Sequence, residues 1–117
     1  MDAYELYGLG LEEYEKGKFS AAIGYFERSN SIEEHFKTYE RLYSCWLRLN
    51  DTQKAFVCIE KAYQLNSRNN KTALEYAKML AASGYDEQAL KVLSDILLRN
   101  SSFKQAAVLA DTITKKS

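Results

Sequence analysis

The stretch Ser83-Gly84-Tyr85-Asp86-Glu87-Gln88-Ala89-Leu90 sets a small-residue turn between two amphipathic runs, with an alanine five residues past its glycine. Altered versions stand earlier, as Gly17-Lys18-Phe19-Ser20-Ala21-Ala22-Ile23 and as Asn50-Asp51-Thr52-Gln53-Lys54-Ala55-Phe56. The alanines Ala22, Ala55 and Ala89 are 33 and 34 residues apart. A fixed period of that size marks a row of stacked supersecondary units, each too small to bury its apolar face alone.

Working outward, the apolar positions recur at helical spacing on both sides of every turn. Ala3, Leu6, Leu9, Gly10 and Tyr14 share one face before Gly17, and Gly8 and Gly10 allow a neighbouring helix to approach closely. Gly17 suits the left-handed position past a helix end, and Ser20 is then expected to cap a second helix carrying Ala22, Ile23 and Phe26 inward. Ser31-Ile32-Glu33-Glu34 has the form of a capping box and predicts a third helix from about Ile32 to Leu49, with Tyr39, Leu42, Tyr43 and Trp46 on one face. Asp51 or Thr52 caps a fourth, with Ala55, Phe56, Ile59, Ala62 and Tyr63 inward. After the polar loop Asn66 to Lys71, a fifth bears Ala73, Tyr76, Ala77 and Leu80 and closes at Gly84. Asp86 caps a sixth, with Ala89, Leu90, Leu93, Ile96 and Leu97 inward, and Ser102 with Gln105 opens a last one. The chain has no proline and few alternating β-branched runs, so the fold class is all-α: seven helices whose short loops make consecutive ones antiparallel.

Composition narrows the function. A hydrophobic share of 46% beside a charged share of 27% is that of a soluble globular protein with a core of its own. No apolar run reaches the roughly 18 residues that span a bilayer, and the start lacks a secretory pattern, so a cytoplasmic protein without membrane attachment is expected. Sixteen acids and sixteen bases cancel, although residues 1 to 35 hold eight acids against three bases. That balance argues against binding of single-stranded nucleic acid. Cys45 and Cys58 lie inside apolar runs and read as reduced, buried thiols. His35 is the only histidine, no nucleophile is placed beside it, and neither metal-ligand spacing nor a phosphate loop occurs. No cofactor and no catalysis are expected.

The repeat unit resembles the tetratricopeptide repeat (TPR). The first copy supplies Leu6, Leu9-Gly10, Glu13, Ala22 and Phe26, the second Tyr39, Leu42-Tyr43, Trp46, Ala55 and Ile59, and the third Ala73, Tyr76-Ala77, Leu80, Ala89 and Leu93. The helix-ending proline is replaced by Glu34, Ser67 and Ser101, and Tyr43 stands where a small residue is usual. The resemblance implies an α-solenoid, a right-handed superhelix of three helical hairpins (residues 3–36, 36–69 and 70–103) with a capping helix at 102–116, all in one domain. It also implies a concave groove lined by the first helix of each pair, which takes a peptide or protein segment. Such a module would serve as an adaptor, scaffold or chaperone.

Carried onto this chain, the groove positions are Tyr4, Tyr7, Leu11 and Tyr14, then Lys37, Arg41, Ser44 and Arg48, then Lys71, Leu74 and Lys78. The tyrosine stripe either receives a ligand or a second copy of the chain, or packs locally against the second helix and Arg41. The basic residues are either a solvated face interleaved with Glu40 and Glu75, or a cradle for an acidic segment in which Arg41 and Arg48 make forked contacts. Family members that clamp heat-shock chaperone carboxylates use a lysine and an asparagine where this chain has Tyr7 and Leu11, so that specificity is not expected. Self-association through the stripe, or head to tail as a homo-oligomer, is the alternative role.

Overall fold

The computed structural model describes residues 1–116, which contain seven α-helices and no strand: α1 (Ala3–Glu15), α2 (Phe19–Ile32), α3 (Phe36–Arg48), α4 (Thr52–Leu65), α5 (Asn70–Ala82), α6 (Asp86–Arg99) and α7 (Lys104–Lys116). They fall into two compact units, residues 1–65 and 66–117. In the first, α1 packs on α2, α2 on α3 and α3 on α4; in the second, α5 packs on α6 and both meet α7. The architecture is that of helical hairpins in an α-solenoid.

The period has a steric cause. Ala22, Ala55 and Ala89 are all fully buried, each where the second helix of a hairpin closes onto the first. Around them the first unit buries Leu6, Ile23, Phe26, Leu42, Cys45 and Ile59, and the second buries Ala73, Ala77, Leu80, Leu93, Ile96 and Ile113. The three hairpin turns, 16–18, 49–51 and 83–85, are each three residues long. Each contains one residue in the left-handed region: Gly17 at φ 77°, Asn50 at φ 62° and Gly84 at φ 86°. Asparagine tolerates that conformation better than other residues with a side chain, which is why the middle turn dispenses with glycine.

Helix starts depart from the sequence reading. The capping box at Ser31 does not form; α2 continues to Ile32, Ser31 donates back to the Arg28 carbonyl, and α3 starts at Phe36 behind His35, whose Nδ1 accepts from the Lys37 N–H. Ser29 explains the extension, since its buried hydroxyl donates to the Ala3 carbonyl and holds the last turn of α2 against the start of α1. Ser20 and Asp86 lie inside the first turns of α2 and α6, whose cap positions Lys18 and Tyr85 make no side-chain capping hydrogen bond. At the last helix Ser102 bonds to Asn100, and Gln105 lies one residue inside α7. Asp51 does cap α4, accepting from the Lys54 N–H at 3.1 Å. Besides His35, two caps escaped the sequence reading: the Asp2–Glu5 box on α1, and Asn69, which accepts from both the backbone N–H and the hydroxyl of fully buried Thr72. Asn69→Ala is expected to cost about 1 kcal/mol, the usual value of such a cap, read as a lower urea midpoint at constant slope. A change below a few tenths would show that the Thr72 N–H finds water instead.

Candidate functional site

Within the first unit, α1 and α3 present side by side the residues expected to line a groove. Leu6 and Gly10 turn inward, which leaves Tyr7, Leu11 and Tyr14 half-buried beside them and Tyr4 projecting, 85% exposed. Tyr7 tilts against Phe26 with ring centroids 5.6 Å apart, and Tyr14 meets Phe19 edge-on at 5.3 Å. The Tyr14 hydroxyl shares a hydrogen bond with Ser44 of α3. Local packing thus uses one side of these rings, while Tyr4 makes no such contact.

On α3, Lys37, Arg41, Ser44 and Arg48 lie four, three and four residues apart, which on a 3.6-residue helix is a single stripe. The Arg41 guanidinium stands 5.6 Å from the centre of the Tyr14 ring, and that of Arg48 stands 5.4 Å from the Phe19 ring. Phe19 belongs to α2 and was not among the expected groove residues; only the folded hairpin brings it beneath Arg48. A cation over a ring is attracted by the negative ring face, which favours these positions while leaving N–H donors for a ligand. Among the described residues neither Arg41, Arg48 nor Lys37 is paired with a carboxylate. The arginines are therefore pre-positioned cations without a counter-charge.

At the N-terminal end of this face is a cleft of about 260 Å³ walled by Ala3, Tyr4 and Tyr7 of α1, Ser29 of α2 and Lys37 and Thr38 of α3. Glu33 and His35, from the loop between α2 and α3, complete its lining. His35 is exposed, stacked on Phe36 and engaged as a cap.

In the second unit the expectations fare differently. Leu74 is only 3% exposed and belongs to the packed side of α5, so it is withdrawn as a partner-contacting residue; on a helix with apolar residues at 73, 74, 77 and 80, sequence alone does not say which leucine turns inward. Lys78 is held at 2.9 Å by Glu75, one turn earlier, and is partly neutralised. Lys71 is exposed.

Cys45 is buried and Cys58 half-buried, and both are free thiols. Burial pushes each thiol up to about 11, with the nearby charge of Glu27 adding to the effect at Cys58. The Tyr39 phenol, half-buried and donating to the Glu34 carboxylate, is pushed up to about 12 by desolvation and by that carboxylate. All three rises favour the protonated form in the folded state. The unfolded chain therefore ionises first, and the resulting stabilisation is complete below about pH 9 and is lost as pH rises through 11 to 12. Urea midpoints are expected to fall between pH 9 and 11, and to fall less steeply in a Cys45→Ala/Cys58→Ala variant; an identical slope would remove the thiols from the account. At pH 7.5 both thiols should react with Ellman's reagent far more slowly in the native protein than in urea.

Among the described residues no helix is long and apolar enough to cross a membrane, and no group of three or more His, Cys, Asp or Glu side chains could hold a metal ion. The helical hairpins have the fold of tetratricopeptide repeat domains, as the comparisons with solved structures show. No protein-family profile and no curated protein matches the sequence. Solved structures do match in fold. The first TPR of Spaghetti (RPAP3), bound to the HSP90 peptide SRMEEVD, is 19% identical with a TM-score of 0.79, covering 99% of this chain and 98% of that one. The Yersinia enterocolitica type III secretion chaperone SycD, in complex with a peptide of the translocator YopD, is 15% identical with a TM-score of 0.80, covering 97% and 92%. A tetratricopeptide repeat protein from Parabacteroides merdae is 17% identical with a TM-score of 0.85, covering 95% of this chain and 45% of that one.

Proposed function

We propose that this chain is a non-catalytic interaction module that binds an acidic peptide or protein segment on the α1–α3 face. The observation that carries this reading is the pair of guanidiniums over aromatic rings, Arg41 over Tyr14 and Arg48 over Phe19, with no carboxylate of their own. Packing an arginine on a ring removes most of the side-chain freedom that ligand binding would otherwise cost. Tyr4, Tyr7, Leu11, Tyr14, Lys37 and Ser44 supply the surrounding contact area. Spaghetti and SycD, similar in fold, are both known with peptides bound, which supports a peptide as the class of ligand. The basic stripe fits an adaptor or chaperone role in the cytoplasm, where no chemistry is required of it.

Charge reversal tests the reading. Arg41→Glu/Arg48→Glu should weaken binding of an acidic peptide at least a hundredfold, at about 1.5–3 kcal/mol per charged hydrogen-bonded contact, while the circular dichroism melt stays within a few degrees. Unchanged affinity, or affinity insensitive to salt, would remove the stripe as the site.

A further inference from the structure

Resting on that reading, we infer that the bound segment is read in a fixed register, with one bulky apolar side chain seated in the Tyr4–Tyr7–Thr38 cleft and carboxylates following along α3 toward Arg48. Three observations combine. The cleft, about 260 Å³ and lined mainly by carbon, is large enough to take one bulky apolar side chain. Lys37 and Thr38 of α3 line it, so that the cleft, Arg41 and Arg48 succeed one another along one helix. The cleft lining holds Glu33 beside Lys37, opposite charges that offset each other, whereas Arg41 and Arg48 are paired with no carboxylate among the described residues, which assigns the acids to the arginine side.

The spacing follows from helix rise. Arg41 lies four residues beyond Lys37, about 6 Å along the axis, and Arg48 seven further, about 10 Å. An extended ligand advances about 3.3 Å per residue and repeats its side-chain direction every second residue. The match is an acid two residues from the apolar anchor and another at four to six residues. A helical ligand would need anchors three or four residues apart and a longer apolar groove, which one cleft of this size does not provide.

Selection from a random dodecapeptide display library on the immobilised full chain tests this directly, repeated with Tyr4→Ala and with Arg41→Glu/Arg48→Glu. Tyr4 is exposed enough for its removal to leave the fold intact. The expected winners carry one Phe, Leu, Met or Trp with an acid two residues away. A synthetic winner should lose about tenfold in affinity when its anchor is changed to Ser, and a similar amount on Tyr4→Ala, the value of partly burying one large apolar side chain. The arginine reversal should erase the acidic preference and keep the apolar one. Winners that are acidic with no apolar residue at constant spacing, or an affinity unmoved by Tyr4→Ala, overturn the register while the acidic-segment reading stands. Winners without acids, or no enrichment at all, overturn both.

Discussion

Replacing Phe26 with alanine is expected to lower the free energy of unfolding by about 3–5 kcal/mol, read from the urea midpoint, the range for emptying an aromatic site in a packed core. Phe26 is fully buried, and it sits in the cluster of Ala22, Ile23, Leu42 and Cys45 on which Tyr7, Leu11, Tyr14 and Trp46 also pack. Its ring therefore supports the candidate binding face from below. Losing it should leave Tyr7 without the ring 5.6 Å away that fixes its tilt, so peptide affinity should fall together with stability. A loss below about 1.5 kcal/mol would mean that the site collapses, or that it is less tightly packed than its zero exposure indicates.

The second large effect is expected at Gly10, where alanine should destabilise by about 2 kcal/mol although alanine is the better helix former. A β-carbon built there falls 2.5 Å from Phe26 Cε1 and 2.6 Å from Cδ1. Propensity favours alanine by about 1 kcal/mol, whereas forcing an extra carbon into a packed core costs about 1–3 kcal/mol, and here the fully buried ring has nowhere to retreat. Gly8 is the internal control, because a β-carbon there meets nothing within 4 Å; Gly8→Ala should be neutral or stabilising by up to about 1 kcal/mol. In a Gly10→Ala/Phe26→Leu double variant the two costs should fall short of their sum, since the smaller side chain makes room for the new methyl. Strict additivity would show that the two residues do not meet.

These sites also show what the sequence makes legible. The alanine period could be read because closing two helices demands a small residue at the same place in each hairpin, and Gly17 and Gly84 could be read because few residues tolerate their backbone. Helix starts were less legible. Ser31 and Glu34 fit a capping pattern, but a tertiary bond from Ser29 to Ala3 carries α2 past Ser31, and a local motif does not encode a partner 26 residues away. The same limit applies to the candidate site. The tyrosine and arginine stripes appear as periodicities, so Tyr4, Tyr7, Arg41 and Arg48 could be listed from sequence. The placement of Phe19 under Arg48, and the convergence of Ser29, Glu33 and Thr38 on one cleft, depend on how α2 crosses its neighbours. Leu74 failed because an apolar residue on a helix serves a groove or a core equally well.

The left-handed residues at 17, 50 and 84 bear on how the chain comes off the ribosome. Each reversal is decided by one residue in a three-residue link, so little chain entropy is spent in bringing the two helices of a hairpin together. A nascent chain that has exposed residues 3–32 already holds the turn, Gly10 and Phe26, everything the first hairpin needs to begin closing. Synthesis and folding can then advance one hairpin at a time from the N-terminus, with rates in the microsecond to millisecond range typical of local topologies, well ahead of elongation.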